Sequence, residues 1–282
     1  MNILFVGKFH KSSNNILHKA TLEELGHKVW TIDLVYPKWL LPSEVLDFVL
    51  VSKGVGMPIE FIEVIQEIYP PCPVVLWYMD AMNNFDDELI EKIKVCDIFF
   101  SSMRYIVDQA QQYSKRCYYQ PAGFYPPKNK PWPFRKEYDV SFIGNPYNDD
   151  RKLHCEETGA EVLRGWFGKA HAKMVSRSKI NLGFTFNRQG ASNRIYKVMA
   201  AGGFLLTQPW DGLKLDFMPE VELVTFDSLQ DCKDKIAYYL AHEASREVIA
   251  EEGMKLVGNK FTMKNWAKHI IKRVKEWKKY HG

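Results

Sequence analysis

Ser192, Asn193, Arg194 and Lys197 open the stretch SNRIYKVMAAGGFLLT, 192–207. Ser and Asn are good helix N-caps, because their short side chains accept a hydrogen bond from a free backbone N–H. Ile195, Val198 and Met199 follow at the i, i+3, i+4 spacing of a buried helical stripe. Gly202 and Gly203 suit a left-handed helix end, and FLLT reads as a buried strand. Arg194 and Lys197 are both read into the first helical turn, where the helix dipole disfavours cations. A bound anion removes the conflict: a phosphate would take the free N–H groups and both side chains. The plainer alternative leaves Arg194 paired with a surface carboxylate and Lys197 solvated.

Other candidates end apolar runs. Gly7 closes NILFVG and Lys8 and His10 follow it, Lys53 follows DFVLVS, Asp80 closes VVLWYMD, and Gly144 and Asn145 close DVSFIGN. Ligands of open parallel sheets sit outside the carboxyl ends of the strands. Asp80 is the first candidate for a general base; its structural alternative is to cap the next helix or turn. His10 is the second, because an ordinary imidazole titrates near neutrality. Gly7 and Gly144 are expected to give backbone room, and Gly7, Lys8 and Lys53 to lie on the acceptor side or in a cleft. Lys169 either meets donor phosphate or is exposed.

These positions require strands alternating with helices. NILFVG (2–7), a helix over 12–26 and HKVWTIDL (27–34) form a βαβ unit, which implies a parallel sheet. The pattern continues through 47–54, 59–68, 73–80, 86–95 and 97–102. Five prolines between 121 and 133 read as a linker. Strand and helix then alternate again from 138, with strands at 138–145, 179–184 and 221–226, and helices close the chain at 228–241, 243–256 and 263–279. The expected domains are 1–125, 126–262 and a terminal basic helix at 263–282. The fold class is α/β, with two Rossmann-like doubly wound domains facing a cleft.

The 282 residues are 46% hydrophobic and 26% charged, as in a soluble globular protein, with a net charge of +4 that is modest for a nucleic-acid binder. Five scattered cysteines without a Cys-x-x-Cys pair argue for reduced thiols in a cytoplasmic setting, against a disulfide frame or a zinc site. No apolar run reaches the ~20 residues of a membrane span, and MNILFVGKFH lacks a signal-peptide core. A dinucleotide G-x-G-x-x-G after the first strand, a P-loop, a G-x-S-x-G elbow, metal-spaced histidines and an Asp-x-Asp are all missing. In the tail, Trp266, Ile270, Val274 and Trp277 keep helical spacing among Lys268, Lys272, Arg273, Lys275, Lys278 and Lys279. This reads as a packed helix with a solvated basic face, or as a surface for anionic lipid or nucleic acid.

The segments DVSFIGN, SKINLGF, SNRIYKVMAAGGFLLT, ELVTF and IAYYLAHEASREVIAEEG together resemble the GT-B glycosyltransferases. Within them the pattern is similar to the group of the CgeB spore-maturation proteins. The specific resemblance runs from 138 to about 262. It implies a C-terminal domain that binds a nucleotide-sugar, an N-terminal domain that binds the acceptor, and a last helix that often packs back across the hinge. Gly144 and Asn145 would lie beneath the donor phosphates, Arg194 and Lys197 would face the diphosphate, and Ser192 and Asn193 are counted with them as donor-binding residues. Many GT-B enzymes carry two glutamates separated by seven residues, the second contacting ribose; here those positions are Gln189 and Lys197. A lysine cannot accept a ribose hydroxyl proton. The expectation is a metal-independent glycosyltransferase without a resident cofactor, using a nucleotide-sugar co-substrate of the UDP-linked kind and an acceptor the residues do not name. It is cytoplasmic, with any membrane contact peripheral. The rival readings are a two-domain binder without turnover and a glycosyltransferase of modified DNA bases.

Overall fold

The computed structural model describes residues 1–10, 13–34, 42–52, 59–79, 85–185 and 188–281. The chain divides into two compact units, Met1–Ala122 with Met263–Gly282, and Gly123–Thr262.

The first unit contains β1 (Asn2–Gly7), α1 (Asn15–Glu24), β2 (Lys28–Asp33), β3 (Phe48–Ser52), α2 (Ile59–Ile68), β4 (Val74–Tyr78), α3 (Asp87–Val95), β5 (Ile98–Ser101), α4 (Arg104–Ala110) and β6 (Cys117–Tyr119). The strands are parallel in the order β2-β1-β3-β4-β5-β6. β3 and β4 are buried at every position, as expected of strands covered on both faces. Alternation sorts their side chains into two layers. Leu4, Val6, Val49, Val51 and Leu76 pack with Phe61, Ile93 and Ile106 of the helices on one face. Ile3, Phe5, Phe48, Leu50, Val75 and Trp77 face the other way. That second layer is closed by Leu22 of α1 and by Trp266, Ile270 and Val274 near the chain end. The terminal segment is therefore part of the first unit's core and not a separate appendage.

The second unit contains β7 (Tyr138–Ile143), α5 (Asp149–Glu157), β8 (Glu161–Leu163), α6 (Lys169–Ser176), β9 (Ser178–Gly183), α7 (Asn193–Ala200), β10 (Leu205–Thr207), α8 (Leu213–Asp216), β11 (Val224–Thr225), α9 (Leu229–Ala241) and α10 (Glu243–Lys260). The last helix, α11 (Met263–His281), belongs to the first unit. The second sheet is also parallel, in the order β11-β10-β9-β7-β8.

The proline-rich stretch is not a free linker. Trp132 packs against the second core, its backbone N–H donates to Ser176 Oγ at 3.0 Å, and Lys136 Nζ donates to the Ser178 carbonyl at 3.0 Å. The expected strand at 221–226 shortens to two residues, Val224–Thr225. α10 continues through Gly253, where an added Cβ would sit 2.3 Å from the Glu222 carbonyl oxygen.

A cationic cavity at the carboxyl end of β7

The second sheet changes winding direction at β7, with β8 on one side and β9 on the other. The carboxyl ends of strands at such a point leave a crevice. A cavity of about 620 Å³ lies there, lined among others by Gly144, Asn145, Ser192, Asn193, Arg194 and Lys197. The six residues expected on the donor side thus line one cavity.

Each is placed by a local device. Gly144 follows β7 and donates its N–H to the Leu163 carbonyl at 3.0 Å. A Cβ on Gly144 would lie 2.3 Å from Arg194 Nη2 and 2.8 Å from its Cζ, so the glycine makes room for the guanidinium. Ser192 caps α7, its Oγ accepting from the Arg194 N–H at 3.3 Å. The Arg194 guanidinium lies over the Phe142 ring, 4.7 Å from its centre. α7 begins at Asn193, so Lys197 falls in its second turn and only Arg194 is in the first. Gly202 ends the helix at φ +70°, and a Cβ on Gly203 would be 2.5 Å from Val175 Cγ1, so the glycine pair lets α7 turn back against the sheet.

The cavity is electropositive and poorly solvated. Burial, then Arg151, pulls the Arg194 guanidinium down to about 10. Burial, then Arg194, brings the Lys197 amine to about 8. Burial, then Lys197 and Arg194, takes the His171 imidazole to about 3. Among the described residues no carboxylate pairs with Arg194 or Arg151. Arg151 itself donates from Nη2 to the Thr185 carbonyl at 3.0 Å and lies 4.2 Å from the centre of the Tyr147 ring. Cations that lower one another's pKa stabilise an arriving anion.

The sequence reading missed Arg164, Trp166, Phe167 and His171, which also line the cavity. Trp166 and Phe167 are 42% and 68% exposed on the loop between β8 and α6. Two adjacent aromatics between Gly165 and Gly168 were the available signal. Lys169, at the start of α6, is exposed and does not line the cavity.

The remaining candidates belong to the first unit. A Cβ on Gly7 would meet Asn15 Nδ2 at 2.5 Å. Asn15 Nδ2 donates to the Lys8 carbonyl at 3.2 Å, and Ser52 Oγ donates to Asn15 Oδ1 at 3.0 Å. Gly7 thus fixes the corner between β1 and α1. Lys8 and His10 are exposed beyond it. Lys53 and Asp80 lie outside the described residues. Among the described residues no group of three or more His, Cys, Asp or Glu could hold a metal ion, and no helix is long and apolar enough to cross a membrane. All five cysteines are buried and free.

The glycosyl transferase-like family model matches residues 130–272, half of the chain, and the protein belongs to that family. No curated protein sequence matches it. Solved structures are similar over nearly the whole chain. A glycosyltransferase from Rickettsia africae superposes with a TM-score of 0.72 at 10% identity, covering 99% of this chain and 98% of that one. Anabaena HepE, solved in complex with UDP-glucose, gives a TM-score of 0.70 at 12% identity, with 98% and 100% covered. A sucrose-phosphate synthase from Thermosynechococcus elongatus gives 0.70 at 10%, with 99% and 100% covered. The fold is that of the GT-B glycosyltransferases.

Proposed function

We propose that the protein transfers a hexosyl group from a nucleotide-sugar to an acceptor, with the donor diphosphate held in the cavity at β7. The observation that carries this reading is the set of half-buried Arg194 and Lys197 with buried Arg151, cations without a partner carboxylate at Arg194 or Arg151 among the described residues, beside the capped start of α7. When the bond from sugar to phosphate breaks, negative charge develops on the leaving diphosphate. Arg194, Lys197 and the N–H groups of α7 are fixed before the reaction, so they stabilise that charge without reorganising. These side chains supply the neutralisation that a divalent cation gives elsewhere, which supports metal independence. Gly144 makes room for the Arg194 guanidinium, and Asn145 lines the same cavity, where a donor phosphate would meet both.

A UDP-linked donor is supported by the UDP-glucose complex of HepE. Membership of the CgeB-like group rests on the resemblance that runs from 138 to about 262. On the acceptor side we assign Gly7, Lys8 and Lys53 to binding and Asp80, with His10 second, to deprotonation of the acceptor if configuration inverts. Free buried cysteines support a reducing, cytoplasmic setting.

Release of nucleoside diphosphate from a panel of nucleotide-sugars tests this function. A protein that only binds gives saturable affinity and no release.

A further inference from the structure

α11 closes the first unit with two different faces. Trp266, Ile270, Val274 and Trp277 are buried in its core, while Lys264, Lys268, Lys272, Lys275 and Lys279 are exposed. The five lysines stand at i, i+4, i+8, i+11 and i+15, so they form one stripe along the helix, about 22 Å long at ~1.5 Å per residue. α11 holds seven Lys and Arg against the single carboxylate of Glu276, whereas the whole chain carries a net charge of +4. The rest of the protein is therefore net negative, and positive charge is gathered on this helix.

Beside the stripe lies a groove of about 580 Å³. Lys268, Lys272, Lys275 and Lys279 line it, with the apolar side chains of Leu25 and Ile271. Glu276, its one carboxylate among the described residues, is engaged by Arg273 at 2.8 Å and by Lys272 at 4.0 Å. Lys278 pairs with Asp47 at 2.7 Å. Lys264, Lys268, Lys275 and Lys279 have no carboxylate within ion-pair distance among the described residues.

We propose that this lysine face docks the protein on a bilayer rich in anionic phospholipid, held at the headgroups, with the groove receiving one of them. This docking does not depend on what the cavity at β7 binds. Lysine is a compact point charge on a flexible stem and fixes no geometry, which suits a fluid array of headgroup phosphates. Protein interfaces favour arginine and aromatic residues and are depleted in lysine. Single-stranded nucleic acid needs aromatic platforms for its bases, and readout of a duplex needs Arg, Asn or Gln at base edges. Among the described residues no Arg, Asn, Gln, Phe, Tyr or Trp lines the groove. The one arginine of α11, Arg273, is turned to the Tyr118 ring, 4.1 Å from its centre. With the apolar stripe committed to the core, binding is adsorption without insertion, so it falls with salt.

The test is co-sedimentation with phosphatidylcholine vesicles, with and without about one-third phosphatidylglycerol. Wild type is expected to sediment with the anionic vesicles at about 0.1 M salt, to stay in solution with the neutral ones, and to be released at about 1 M salt, where the screening length falls to ~3 Å. K268Q/K275Q/K279Q is expected to lower partition by about a hundredfold, from about fivefold per lysine. K115Q/K214Q/K260Q removes the same charge from exposed positions off α11 and is expected to change partition by less than about threefold. If the first triple variant loses its fold, its single substitutions carry the test at about fivefold each. Wild type that stays in solution with anionic vesicles, undiminished binding in the α11 variant, or equal loss in the two triple variants overturns the proposal. Tighter binding to a DNA duplex than to anionic vesicles at equal phosphate also overturns it and makes the face a nucleic-acid surface.

Discussion

At residue scale, the proposed donor site has Gly144, Arg194 and Lys197 trade stability for ligand affinity. Arg194→Ala is expected to weaken nucleoside diphosphate binding by about 1.5–3 kcal/mol, the range for a hydrogen bond to a charged group, with the fold intact by circular dichroism. Gly144→Ala places a methyl 2.3 Å from Arg194 Nη2. The end of an arginine can swing away, so the expected result is a small change in melting temperature and a clear loss of donor affinity. Lys197 gives a pH-dependent signature. Its folded value is about 8, below the ordinary 10.5, so the unfolded chain holds more protons between those values. Stability therefore rises with pH from about 8 to 10.5 and is lowest, for this group, below 8. Lys197→Met is expected to raise the melting temperature at neutral pH, flatten that rise and weaken diphosphate binding. A melting temperature unchanged from wild type at every pH would show that Lys197 carries no buried charge. Arg194 was legible in the sequence because a cation beside a good N-cap conflicts with the helix dipole. Lys197 was grouped with Arg194 by the sequence but set one turn too early; it lies in the second turn of α7, on the wall of the same cavity. His171 was not legible, because a lone histidine between Ala170 and Ala172 reads as part of an apolar face.

At the scale of elements, α11 shows what periodicity carries and what it leaves out. The apolar stripe Trp266, Ile270, Val274 and Trp277 is buried, as its spacing implies. The stripe does not say which sheet it covers. Trp266 lies 4.9 Å from Trp77 and 4.4 Å from His18, centre to centre, and His18 Nε2 meets the Ala122 carbonyl at 3.1 Å. Trp266→Ala is expected to destabilise the first unit by about 3–5 kcal/mol in denaturant unfolding. A loss below 1 kcal/mol would mean that α11 is not part of that core. The opposite face exposes Lys264, Lys268, Lys272, Lys275 and Lys279. With the apolar face committed to the core, α11 cannot insert into a bilayer, so any attraction to anionic lipid or nucleic acid is electrostatic and screened by salt. Changing Lys268, Lys272 and Lys279 together to Gln is expected to leave stability nearly unchanged and to lower the salt needed to elute the protein from heparin. α5 was missed for a related reason: its buried residues are Arg151, His154 and Cys155, so DDRKLHCEE carries no apolar stripe.

At the scale of the whole molecule, two parallel sheets were legible because strands covered on both faces read as uninterrupted apolar runs. The boundary was less so. The chain passes from one unit to the other at 122–123 and returns at 262–263, and only the first passage has a compositional mark. The two passages lie side by side, with the Phe124 N–H donating to the Phe261 carbonyl at 2.9 Å and Gly123, at φ +68°, leaving no room for a Cβ beside that oxygen. Contacts of that kind join residues far apart in sequence and leave no local pattern.

The most direct test of the central claim is release of nucleoside diphosphate from nucleotide-sugars by wild type and by Arg194→Ala, each shown to be folded. The account predicts that wild type releases diphosphate from at least one donor above the buffer rate, and that Arg194→Ala lowers the rate by about tenfold or more, as expected for loss of ~1.4 kcal/mol or more of transition-state stabilisation. Saturable donor binding with no release would make the protein a binder. Release that is undiminished in Arg194→Ala would place the chemistry outside the cavity at β7.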